Sequence, residues 1–163
     1  MKKQLNLKDL KSAKNSKKVV GVIGGSRANS GVKKVAREVG RQIARRGYIL
    51  VCGGLGGVMT ASCRGASEVG GFTVGILPGR SKKSANPFVD LPIVTGMSHA
   101  RNAIIVRTSD ILIAIDGRYG TLSEIALAKA CGKRVIGLMT WDEVPGVEAV
   151  ESVEEAMMRV EGR

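Results

Sequence analysis

The chain has 163 residues, 44% of them apolar, enough for one domain with a real core and too few for two of ordinary size. Lys and Arg number 26 against 14 Asp and Glu, a formal net charge of +12. No apolar run approaches the roughly 18 residues of a membrane span, none follows the N-terminal lysines as a secretory signal requires, and 3% aromatics leave little for a base-stacking platform.

Residues 1–18 carry seven lysines against Asp9. Residues 1–17 read as a basic tail, either a solvated leader or a segment that holds nucleic acid or an anionic surface. Residues 18–163 read as one domain. Lys18–Ile23 predicts a buried strand, and Gly31–Arg46 a helix with Val32, Val35, Ala36, Val39 and Ile43 on one face. Its opposite face carries Lys33, Lys34, Arg37, Arg41 and Arg45, an exposed helix back or a DNA-binding stripe. Tyr48–Cys52 predicts a strand, Gly57–Val69 a helix and Phe72–Leu77 a strand. A polar loop, Arg80–Asp90, precedes a short extended piece, Leu91–Thr95. His99–Thr108 predicts a helix, Ile111–Ile115 a strand, Thr121–Ala130 a helix, Arg134–Leu138 a strand and Ser152–Val160 a last helix. Wholly apolar strands separated by amphipathic helices predict an α/β, Rossmann-like, doubly wound parallel sheet with helices on both faces.

Three cysteines, Cys52, Cys63 and Cys131, with no CxxC spacing argue for reduced thiols and a cytoplasmic protein. Cys52 and Cys63 read as small buried hydrophobes. His99 is the only histidine, so no metal site is expected.

Five extended segments end in glycine: at Gly24–Gly25, Gly53–Gly57, Gly79, Gly96 and Gly117–Gly120. Ten of the 22 glycines sit in these turns, so they mark strand exits rather than linkers. In an open α/β sheet that edge is where ligands bind, and helices starting there aim N–H groups at the crevice. These turns point to a phosphate-bearing ligand; the alternative is that tight strand-to-helix turns need glycine in any case. The dinucleotide fingerprint and the P-loop GK[ST] are both absent, which disfavours NAD and ATP hydrolysis.

Residues 99–124, HARNAIIVRTSDILIAIDGRYGTLSE, place Arg101 on a helix and Gly120, Thr121 and Glu124 at the start of another. Thr121 either caps that helix or bonds a phosphate oxygen. Glu124 is either half of a capping box with Thr121 or a carboxylate facing the ligand, and Arg101 either a surface salt bridge or its partner.

GGLGGVMTAS, GRYGTLSE and the Arg101-to-Glu124 spacing resemble the LOG, or "lysine decarboxylase-like", superfamily over nearly all of residues 18–141. The fuller run is similar to its molybdenum-cofactor-carrier-like branch; a DNA-processing family shares the fold. The resemblance implies catalytic roles for Arg101 and Glu124, and phosphate or nucleotide contacts at Gly24, Gly25, Ser26, Gly53, Gly54, Gly117, Arg118, Tyr119, Gly120 and Thr121. Asp116, Arg118 and Ala100 depart from the LOG pattern, and Asp116 and Arg118 can pair with each other. No cofactor is required; the implied ligand is a nucleotide or molybdopterin-type molecule. The implied assembly is a homodimer or larger. Binding of such a ligand ranks first, a LOG-type nucleoside monophosphate phosphoribohydrolase second, and a DNA-associated protein third. Pyridoxal-dependent decarboxylation has no support.

Overall fold

A computed structural model describes residues 17–163; apart from Lys17, the expected basic tail lies outside the described residues. The chain runs β1 (Val19–Gly24), α1 (Ser30–Arg45), β2 (Ile49–Cys52), α2 (Val58–Ser67), β3 (Thr73–Leu77) and β4 (Leu91–Val94). It continues with α3 (Asn102–Thr108), β5 (Ile111–Ile115), α4 (Tyr119–Ala130), β6 (Arg134–Leu138), β7 (Val147–Val150) and α5 (Val153–Val160). All seven strands are parallel, in the order β4-β3-β2-β1-β5-β6-β7.

Strand alternation divides the core in two. Val20 and Val22 of β1 and Ile113 and Ile115 of β5 face one layer, with Val39 and Ile43 of α1 and Met157 of α5. Ile23, Leu112 and Ala114 face the other, with Ile105 of α3 and Ile125 of α4. Both sheet faces are therefore covered, which is why the strands read as unbroken apolar runs.

The expected α/β architecture is present, with three local differences. Arg101 closes a 3-10 turn, Ser98–Arg101, so the helix expected from His99 becomes regular only at Asn102. Lys82–Ser84 forms another such turn inside the polar loop. β7, which carried no prediction, pairs with β6 at the sheet edge. Its four residues, VEAV, include a carboxylate, and they are held by that pairing and by Arg134 donating to Glu148 at 2.8 Å.

β1 pairs with β2 on one side and β5 on the other, although β5 follows four strands later. Here the winding reverses, and the loops leaving β1 and β5 diverge to opposite faces and open a crevice. Against the sheet, α1 and α2 meet backbone to backbone. A Cβ at Gly65 would lie 1.8 Å from the Arg37 carbonyl oxygen, and one at Gly40 1.9 Å from that of Ser62. Gly65→Ala should force the helices apart and destabilise the fold by about 3 kcal/mol in urea unfolding.

Candidate functional site

A cleft of about 960 Å³ opens at the carboxyl edge of the sheet, over the β1–β5 reversal. Gly24, Gly25 and Ser26 line it after β1, and Gly117, Arg118, Gly120 and Thr121 line it after β5. Arg101 and Glu124 line the same space. Gly53, Gly54 and Tyr119 lie outside this lining. Gly53 instead sits behind Arg101, Gly54 packs on Leu77 and Gly75 of β3, and Tyr119 stands in solvent, its ring 6.1 Å from that of Trp141.

The turn entering α4 is built by unusual backbone. Asp116 adopts φ 50° and Gly117 φ 99°. A Cβ at Gly117 would collide with the Thr121 side chain, its Oγ1 2.1 Å away. The helix begins at Tyr119, two residues before the expected Thr121, with Arg118 at the N-cap and no side-chain cap. Thr121 is thus inside the first turn, and the Thr121–Glu124 capping box is not formed. Leu122 is the first residue to donate back into the turn, to the Arg118 carbonyl at 2.9 Å. The N–H groups of Tyr119, Gly120 and Thr121 have no partner among the described residues. Together with the helix dipole they form an anion-binding end. Arg118 adds a cation at the N-cap; among the described residues it forms no ion pair with Asp116, so the expected pairing does not occur.

Arg101 is no surface ion pair: it is buried, and its partners are uncharged. Nε donates to the Ile76 carbonyl at 2.7 Å, at the end of β3. Nη1 donates to the Asn102 side-chain oxygen, and Nη2 reaches the Gly53 carbonyl at 3.5 Å. A Cβ on Gly53 would come within 2.6 Å of Nη2, so glycine there makes room for the guanidinium. Burial lowers the Arg101 pKa, and Glu124 acts in the opposite direction.

Glu124 is 7% exposed, and its carboxylate has no hydrogen bond or ion pair among the described residues. Burial pushes its pKa up from the usual 4.5 to about 7, against the downward pull of Arg101. An unpartnered acid of this kind, facing a cleft with a guanidinium, marks a candidate functional site.

Three contributors carried no site prediction. Asn102 orients Arg101; Arg27 stands exposed on the β1 loop; Met59, expected to pack, both packs and lines the cleft. Adjacency to Arg101 was the only sequence signal for Asn102. Cys52 and Cys63 are buried as expected, their sulfurs 3.5 Å apart.

The sequence matches the model of the SLOG cluster4 family over residues 17–162. It is 48% identical over 138 residues to an uncharacterized protein of Archaeoglobus fulgidus, covering 85% of this chain and 91% of that one. It is 35% identical over 126 residues to a cytokinin riboside 5'-monophosphate phosphoribohydrolase of Mycobacterium tuberculosis, covering 71% and 67%. Among solved structures, the molybdenum cofactor binding protein of Rippkaea orientalis superposes with a TM-score of 0.86 at 35% identity, over 91% of this chain and 98% of that one.

Glu124 sets a pH dependence. The folded chain holds this proton more tightly than the unfolded chain, so stability is full below pH 4.5 and falls as pH rises through about 7. Glu124→Gln removes the loss. Urea unfolding from pH 4.5 to 8 should show the variant gaining on the wild type by about 3 kcal/mol, at 1.36 kcal/mol per pH unit; parallel profiles would contradict the burial of a titrating carboxyl.

Proposed function

The chain belongs to the SLOG cluster4 family, and from that premise we propose that its cleft binds a phosphate-bearing, nucleotide-like ligand of the nucleoside monophosphate or molybdopterin class. The observation that carries this reading is the uncapped start of α4, where Gly120 and Thr121, whose N–H groups are free, line the cleft beside Arg118. Near full-length likeness to a molybdenum cofactor binding protein supports the pterin class. In this reading the ligand is cargo. Its phosphate lies on the Gly117–Thr121 turn, its ring system extends toward Arg101 and Ser26, and no bond is made or broken.

A second reading draws on Glu124 and Arg101. Cleavage of an N-glycosidic bond builds oxocarbenium character on the ribose, which an ionised Glu124 stabilises while also orienting water. Arg101 favours that ionised form. Phosphate binding at a distance from the reacting carbon positions the ribose, so free nucleosides are poor substrates. The phosphoribohydrolase relative supports this chemistry.

Thermal-shift and calorimetric titrations with nucleoside mono-, di- and triphosphates and with molybdopterin test the binding. A true ligand at 100 times Kd should raise Tm on the order of 5 °C, and Gly117→Val, which fills the turn, should abolish the shift. Incubation with AMP separates the readings. Base release lost in Glu124→Gln identifies the hydrolase; saturable binding without base release identifies the carrier.

The reading includes a homodimer or larger assembly. The outer side of α4 presents Leu122, Ala126 and Ala130 at helical spacing with no charge between them, and Leu91, Ile93 and Met97 are exposed along and after the edge strand β4. A helix that is apolar on both sides is ordinarily covered on both. Light scattering should give at least a dimer mass for the wild type and a monomer mass for Ala126→Arg.

A further inference from the structure

We propose that a second site, the groove between the N-terminal halves of α1 and α2, binds the backbone of a single-stranded nucleic acid. It is independent of the ligand reading for the cleft. The groove has a volume of about 510 Å³. One wall is the α1 face Ser30, Lys33, Lys34 and Arg37, and the other carries Thr60 and Arg64 of α2. Gly57 and Ala61 keep the floor shallow, and the ring of Phe88 closes one side with the Arg64 guanidinium 5.9 Å from its centroid. No acid lines the groove.

The distribution of ion pairs singles out this half of the helix. Further along, the cations are neutralised: Arg41 pairs with Glu38 at 2.7 Å and with Glu68 at 2.6 Å, and Arg46 pairs with Glu161. Glu68 also takes Arg37 and, at 3.4 Å, Arg64, so one carboxylate serves three guanidinium groups. Those cations hold its pKa down at about 2, the Arg37 hydrogen bonds contributing most. Lys33 and Lys34 have no acidic partner among the described residues. They sit in the first turns of α1, where the helix dipole repels cations, and no acid in that turn offsets them. Two lysines at an unfavourable helix end, beside a partly neutralised arginine cluster, leave a positive patch that an external anion would offset.

The shape decides which anion. From Ser30 to Arg37 the wall is about 10 Å long at 1.5 Å per residue, enough for a short run of consecutive phosphates. The Ser30 hydroxyl, the two lysines and the Arg64 guanidinium, which holds Glu68 only at 3.4 Å, suit phosphate oxygens, whereas the Thr60 hydroxyl donates to the Leu55 carbonyl at 2.7 Å and the Arg37 fork is held by Glu68. A concave channel between helices takes a strand and not a duplex. The low aromatic content rules out an extended stacking platform, but one ring beside the channel meets the need of one unstacked base.

The test uses the full chain and fluorescein-labelled dT20, with anisotropy read across a salt series. Lys33→Ala/Lys34→Ala should weaken binding at least tenfold and reduce the slope of log affinity against log salt by about 1.4, at about 0.7 per cation for single strands. Both side chains are exposed and unpaired, so Tm should hold. Phe88→Leu, which keeps the packing, should cost several-fold. Glu68→Gln should raise affinity several-fold. Lys82→Ala/Lys83→Ala removes equal charge elsewhere and should leave binding unchanged. The proposal is overturned if the two lysine pairs lose affinity equally, if neither does, or if inorganic polyphosphate or polyglutamate competes as well per charge as unlabelled dT20.

Discussion

Everything the cleft does depends on the missing cap of α4. A parallel sheet delivers each helix start to the same edge, and each start brings unpaired N–H groups. Elsewhere in this molecule the protein satisfies them itself: Asn29 accepts from Val32 at 2.9 Å, Ser152 from Glu155 at 3.1 Å, and the Gly25 carbonyl from Val58 at 3.0 Å. At α4 it does not. The turn before it is held in left-handed backbone at Asp116 and Gly117, with Thr121 packed against Gly117. Backbone of this kind persists where the surroundings over-determine it, and such places concentrate at ligand sites.

The second constraint is desolvation. Arg101 and Glu124 are both buried, yet they are held differently. Three oxygens, two of them from the ends of β2 and β3, fix the guanidinium, whereas the carboxyl has no partner. Arg101 is thereby held by three oxygens, whereas Glu124 is an unpartnered carboxyl whose pKa burial has raised. A pKa of about 7 places its titration near neutral pH. A carrier uses such a group to sense ligand charge, and a hydrolase uses it beside a cationic transition state. The same geometry serves both, which is why ligand binding and base release need separate measurement.

Charge is partitioned across the molecule rather than spread. The last 22 residues hold seven acids, and two of them fasten the end of the chain to the body: Glu148 to Arg134 and Glu161 to Arg46. The arginines of α1 and α2 are largely consumed by Glu38 and Glu68. Among the described residues, the cations without an ion pair include Arg27 and Arg118 at the cleft mouth and Lys33 and Lys34 on the first turns of α1, besides Arg80, Lys82, Lys83 and Arg107 elsewhere. The formal +12 is thus a poor guide to where an anion binds; the unpaired fraction is the guide.

Periodicity and composition by themselves determined the layers, the parallel sheet and the edge on which the cleft opens. Unbroken apolar strands have no alternative but burial on both faces, and glycine at five strand exits identifies one edge. The resemblance of residues 99–124 also picked out Arg101 and Glu124, which the cleft does bring together. Tertiary structure decided the rest. β7 forms because β6 offers an open edge, not because VEAV prefers a strand. Where α4 begins, and that Thr121 does not cap it, follows from the Asp116–Gly117 backbone. Whether a given arginine is free depends on carboxylates as far as 115 residues away, as Glu161 is from Arg46. Local sequence carries the short-range terms, propensity and amphipathic spacing; pairing and desolvation arise only when distant segments meet, and these set the chemistry of the cleft.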